Sequence, residues 1–175
     1  MTREESISFY KRHSRKLYNI SFRIVQDSAL AEEIMQDTIL KYIMHFDNIQ
    51  SEKDQEIVAE AWLRRTCVRA SIDYLRKQRR DKLFLAEYAT EGAASQLAYD
   101  DLEDNHGWEE YGVQKIKEAV DSLSAPYRLI LTLILFEGLD YEEISSITGE
   151  RLGTLRTQYS RARKVLAEKL SHNDK

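Results

Sequence analysis

The sequence predicts an all-α protein: two small helical domains joined by an acidic linker. Three observations carry this reading. The 175 residues include one proline and six glycines, leaving long stretches free for helices. Apolar residues recur at three- and four-residue spacings in both halves, and no alternation is long enough for a β-strand. Between the halves, residues 81–112 hold nine acidic residues and one basic residue, a local balance of −8 in a chain of net charge −4. The domains are therefore expected at 1–80 and 113–175, with the linker at 81–112.

The elements follow in order. Ile7, Tyr10, Leu17, Ile20, Ser21 and Ile24 mark a first helix, and Asp27-Ser28 marks its break and an N-cap for the next. Leu30, Ile34, Ile39, Tyr42, Ile43 and Phe46 give the second helix a broad apolar face. Residues 47–56 lack an apolar period and read as a polar loop. A third helix is expected from about Ile57 to Arg80, with Val58, Trp62, Val68, Ile72 and Leu75 inward. Scattered apolar groups in 81–112 suggest short helical pieces within the linker. Val113, Ile116, Val120 and Leu123 share one face of a fourth helix. Ser124-Ala125-Pro126 breaks the chain, and Pro126 suits a first helical turn. Tyr127–Phe136 is the apolar core helix of the second domain, ended at Glu137-Gly138. Asp140 and Glu143 are spaced as a capping box, Ile144 and Ile147 point inward, and Gly149 makes a turn. Leu152, Leu155, Tyr159, Ala162 and Leu166 are the packing positions of the last helix.

That final pair has the layout of a helix-turn-helix whose second helix enters a DNA major groove. Thr154, Arg156, Thr157, Ser160, Arg161 and Arg163 are left more outward. Short hydroxyls suit phosphates and thymine methyls, and arginine forks onto guanine edges. The bland alternative is a solvated basic helix that caps a bundle. A second basic helix ends at residues 73–80, DYLRKQRR. Arg64, Arg65, Arg76, Lys77, Arg79 and Arg80 suit the phosphates of a melted strand, or else a solubilising helix end favoured by the macrodipole. Trp62 reads as core before it reads as a base-stacking residue, because its neighbours repeat at helical spacing. Glu32, Glu33 and Asp37, beside Gln36, recur within about a turn and can present negative charge to a partner or simply to solvent.

The order of motifs resembles the sigma-70 family of RNA polymerase sigma factors, in particular its extracytoplasmic-function (ECF) group. The resemblance rests on Leu123, Arg128, Gly138, Tyr141-Glu142-Glu143-Ile144, Gly153-Thr154-Leu155 and Ser160-Arg161-Ala162-Arg163 in the second half. In the first half it rests on Ala31-Glu32-Glu33-Ile34-Met35-Gln36-Asp37, Trp62-Leu63 and Ile72-Asp73-Tyr74-Leu75-Arg76. It covers nearly the whole chain.

The resemblance implies that Glu32, Glu33, Gln36 and Asp37 dock on the β′ clamp helices of core polymerase. Trp62, Arg65, Arg69, Asp73, Arg76, Lys77 and Arg80 would serve the −10 promoter element. Thr154, Arg156, Thr157, Ser160, Arg161 and Arg163 would read the −35 element, in a domain that also meets the β flap. The implied partners are core RNA polymerase, promoter DNA and an anti-sigma factor, which would supply the chain's only link to a membrane, in a bacterial cytoplasm. The linker would thread toward the polymerase active site as an acidic mimic of nucleic acid, or serve as a solvated tether. The chain departs from the family pattern at Arg69, usually Asn; at Arg151, often Ser or Pro; and at Ser124, usually Pro.

Catalysis has little support. His13, His45, His106 and His172 are scattered, and none is spaced with Cys67 or a carboxylate as metal ligands are. The lone Cys67 allows no internal disulfide and reads as core. No glycine-rich phosphate loop is present. No catalytic residue, metal, cofactor or small-molecule substrate is expected, and no apolar run approaches a membrane span or signal sequence. Two other functions compete with a promoter-specificity factor. A sigma mimic that sequesters an anti-sigma factor would have no need of Arg156, Arg161 and Arg163. A stand-alone helix-turn-helix regulator would have no need of Glu33–Asp37 or Trp62–Arg80.

Overall fold

The computed structural model describes residues 2–45, 52–87 and 112–172. Among these residues it holds seven helices and no strand, as the sequence predicts. The chain divides into two compact units, Met1–Phe84 and Leu85–Lys175.

In the first unit, α1 (Arg3–Val25) starts at a reciprocal cap. The Glu5 N–H donates to Thr2 Oγ1 at 3.2 Å, and the Thr2 N–H to Glu5 Oε2 at 2.7 Å. It ends at Gln26, which takes the left-handed conformation at φ 55°. α2 (Ser28–His45) is capped by Asp27, whose Oδ1 accepts from the Leu30 N–H at 3.0 Å. The two helices approach closely at Ala31, which is fully buried, and the Ser21 hydroxyl bridges them by donating to the Ala31 carbonyl at 3.0 Å. α3 (Glu52–Glu87) buries Ala59, Leu63, Cys67, Val68 and Ile72, as α1 buries Leu17, Ile20 and Ile24, and Leu63 lies beside Leu17 and Ile20. The Cys67 thiol faces the Leu17 carbonyl at 3.5 Å, as expected of a core cysteine.

Several expectations are corrected. α3 begins five residues before Ile57 and runs seven past Arg80. Residues 52–56 are thus helical despite lacking apolar period, and so are residues 81–87, assigned above to the linker. Charged residues propagate a helix that is already nucleated and packed elsewhere. Val58, expected inward, is exposed, because it lies off the buried stripe of its helix. Phe46, the loop at 47–51 and the linker at 88–111 lie outside the described residues.

In the second unit, α4 (Val113–Asp121) leads into a break at Ser122–Ser124, and α5 (Ala125–Leu131) carries Pro126 in its first turn. Arg128 is buried, and its guanidinium donates to the Leu123 carbonyl at 2.9 Å, closing the turn between α4 and α5. The expected continuous helix to Phe136 instead widens into a π turn over Thr132–Phe136, with the Glu137 N–H reaching the Thr132 carbonyl at 3.1 Å. Gly138 follows at φ 63°. α6 (Tyr141–Thr148) opens on the Asp140–Glu143 capping box and ends at Gly149, at φ 76°. The Ser145 hydroxyl donates to the Glu150 carbonyl at 2.7 Å, and the Glu150 N–H to Thr148 Oγ1 at 3.1 Å. These bonds pin the turn before α7 (Leu152–His172), which buries Leu155, Ala162, Leu166 and Leu170.

Candidate polymerase and promoter interfaces

Three surfaces take shape from these helices. On α2, burial of Ala31, Ile34, Met35, Thr38 and Ile39 turns the intervening positions outward. Glu32, Glu33, Gln36 and Asp37 are all exposed. The Gln36 amide donates to Glu32 Oε1 at 3.1 Å, so the face presents ordered acceptors beside uncommitted carboxylate oxygens.

On α3, residues 62, 65, 69, 73, 76 and 80 step by three or four and fall on one face, opposite the buried one. Arg65, Arg69, Asp73, Arg76, Lys77 and Arg80 are exposed. Arg76 and Asp73 form a loose ion pair at 3.9 Å, short of a good hydrogen bond. Trp62 stands at the N-terminal end of this stripe and is half-buried. Its ring lies 5.7 Å from that of Tyr42, which stacks on Phe9 at 4.8 Å. The core role foreseen for Trp62 is present, with part of the indole still open to solvent.

Within this unit, His13 is buried among Phe9, Lys16, Leu17, Leu63 and Arg64, its ring 4.4 Å from that of Phe9. Desolvation lowers its pKa, against the opposing field of nearby Glu60.

On the helix-turn-helix, Arg156 and Ser160 are exposed, and Thr154, Thr157, Arg161 and Arg163 are half-buried. The Thr157 hydroxyl donates back to the Gly153 carbonyl at 2.9 Å, and its oxygen can still accept. Arg163 departs from the outward set. Its guanidinium lies over the Tyr159 ring at 5.6 Å, and desolvation lowers its pKa. Arg156 and Arg161 do not share a direction either, since five residues turn an α-helix by about 140°. They flank a central strip of Thr157, Ser160 and Lys164.

Comparison with known proteins matches this arrangement unit by unit. The model of Sigma-70 region 2 matches residues 9–81, and that of Sigma-70 region 4 matches residues 113–166. The chain belongs to the sigma-70 family. Its relatives place it in the ECF group. It is 28% identical over 165 residues to the RNA polymerase sigma factor SigV of Bacillus subtilis, covering 93% of this chain and 89% of that one. It is 25% identical over 166 residues to the ECF RNA polymerase sigma-E factor of Escherichia coli K12, covering 91% and 83%. It is also similar to the sigma factor RpoE of Bartonella quintana, solved in complex with the anti-sigma factor NepR. That likeness has a TM-score of 0.56 and 25% identity, over 93% of this chain and 94% of that one. The protein is thus a sigma factor, a non-catalytic subunit that directs RNA polymerase to promoters.

Within this sigma factor, the structure gathers the four α2 residues on one face and the α3 residues on another. It divides the α7 set between an outward strip and Arg163, which packs on Tyr159. Sequence reasoning left Lys164 out of the DNA-facing set although it is exposed beside Ser160 and Arg161. It named Tyr141 and Tyr159 without their contact, in which the rings meet edge to face at 6.1 Å. Two tyrosines 18 residues apart in different helices offer no sequence signal of contact. No helix among the described residues is long and apolar enough to cross a membrane, and no described cluster of His, Cys, Asp and Glu is suited to a metal ion.

Proposed function

We propose that this sigma factor divides its work among three helices. α2 docks on the β′ clamp helices of core polymerase through Glu32, Glu33, Gln36 and Asp37. α3 follows the −10 element with Arg65, Arg69, Arg76, Lys77 and Arg80, while Trp62 stacks at the end of the stripe. α7 reads the −35 element through Thr154, Arg156, Thr157, Ser160 and Arg161, with the surrounding unit against the β flap. An anti-sigma factor would hold the chain inactive in the cytoplasm, and membrane signals would reach it only through that partner.

The observation that carries this reading is the segregation of charge within one unit. α2 exposes carboxylates without a single cation among residues 28–40, and α3 exposes arginines along one stripe. A surface that binds only nucleic acid has no use for the first, and one that binds only protein has little use for the second.

Charge reversal tests it directly. Glu33→Lys with Asp37→Lys is expected to lower affinity for core polymerase at least about tenfold, with the thermal midpoint nearly unchanged because both sites are exposed. Unchanged affinity for core enzyme would remove α2 from the interface.

A further inference from the structure

We infer that Tyr141 is a positioning residue for promoter recognition, a ring at the start of α6 that aims Arg156 of the recognition helix. The inference rests on the reading of α7 as the −35 helix and adds a specificity role outside it.

The geometry begins at the corner between the two helices. Tyr141 is the first residue of α6, directly after the Asp140 cap, and is half-buried. Its ring meets the edge of Tyr159, two turns into α7, at 6.1 Å and 74°. That packing holds the ring still, because rotation would break the edge-to-face contact. The Arg156 guanidinium lies over the ring, with Cζ 5.9 Å from its centroid. Arg163 lies over Tyr159 in the same way at 5.6 Å. The result is a run of four side chains, Arg156–Tyr141–Tyr159–Arg163, half-buried at its inner end, Tyr159 and Arg163, and open to solvent at Arg156.

An exposed arginine otherwise spreads over many rotamers, and ordering it on a base edge or a phosphate costs much of what the contact returns. A ring face limits that spread. The guanidinium keeps its outward N–H groups available while it stays within reach of the ring face. Tyr141 thus pre-sets the direction from which Arg156 reaches DNA. The tyrosine hydroxyl has no part in this, so phenylalanine is expected to serve equally and an aliphatic side chain is not.

A double-mutant cycle on the holoenzyme tests the inference, using affinity for a promoter with a matched −35 element. Tyr141→Leu is expected to weaken binding about two- to fivefold when Arg156 is present, the range for an exposed cation–π contact. It should have no effect in an Arg156→Ala background. Tyr141→Phe is expected to match the parent. Equal losses in both backgrounds would mean that the ring only supports the fold, and no loss in either would mean that it does nothing for DNA binding. Each outcome overturns the inference while leaving the −35 reading intact. If Arg156→Ala alone costs nothing, the −35 role of Arg156 falls and this inference falls with it. A direct readout needs no destabilising variant. The Arg156 δ-methylene protons in the full chain should show the upfield ring-current shift of a stacked side chain and keep it in Tyr141→Phe. Random-coil shifts would overturn the proposal.

Discussion

His13 shows at the scale of one residue how burial becomes pH dependence. Its pKa is lowered by desolvation, with Glu60 opposing, so the folded state prefers the neutral imidazole. The unfolded chain takes up a proton near its ordinary value of 6.5, and the folded chain does so only at lower pH. Stability from this residue is therefore complete above that value and is lost as pH falls from it toward the folded pKa. Urea midpoints of the first unit should drop between pH 7.5 and 5.5, and His13→Phe should flatten the drop. An identical pH slope in the variant would assign the effect to other groups. Arg128 makes the opposite bargain. Burial lowers its pKa, Asp121 opposes, and its guanidinium nevertheless stays charged and bonds the Leu123 carbonyl at 2.9 Å. Arg128→Ala is expected to cost about 2–3 kcal/mol, read from denaturant unfolding, and a loss under about 0.5 kcal/mol would show that the α4–α5 turn holds without it. Neither role was legible in sequence. A lone histidine carries no mark of burial, and Arg128 stands out in the sequence only as part of a family motif.

At the scale of elements, what could be read was what periodicity and caps encode. The Asp140–Glu143 box and the Gly149 stop stand where their spacing puts them. The π turn after Leu131 was invisible, because a single widened turn keeps an apolar run apolar and shifts only which face each residue takes. The contact of Arg163 with the Tyr159 ring is hidden for a related reason. Helical angle alone puts that residue near the core edge, and a long cationic side chain can still pack there by lying on a ring. Two predictions belong to this scale. Gly149→Ala places a side chain at φ 76° and should destabilise the second unit by about 1–2 kcal/mol. A thermal midpoint equal to the parent's would mean that the turn relaxes without strain. The second concerns Arg156 and Arg161, which flank the outward strip on different sides. Their alanine variants should affect different base or phosphate positions in a −35 mutational profile, with losses that add. Overlapping profiles with non-additive losses would place both on one contact.

For the whole molecule, the balance of charge decides how the chain behaves without polymerase. Residues 1–80 carry 15 Lys/Arg against 12 Asp/Glu, and residues 113–175 carry ten against nine, so each side is only slightly basic. Residues 81–112 supply the −8 that makes the chain acidic overall. Nucleic-acid affinity grows with the number of phosphates neutralised, and a tethered acidic segment competes with phosphate for the same arginines at a high effective concentration. This competition needs no fixed contact, only charges kept within about a Debye length of the stripes, roughly 10 Å at 0.1 M salt. The isolated chain should therefore bind promoter DNA weakly, and core polymerase should relieve the competition by supplying other partners for the segment. Changing Asp100, Asp101 and Asp104 to Asn and Glu103 to Gln should raise the free chain's affinity for promoter DNA by about threefold or more at 50 mM salt. The gain should shrink toward nothing near 0.5 M salt, where the Debye length is only about a third of its value at 50 mM. Equal affinity of the parent and the neutralised chain across that whole salt range would show that the acidic segment does not compete for the DNA-facing arginines. The weak binding of the free chain would then follow from the slight net charge of the two units alone.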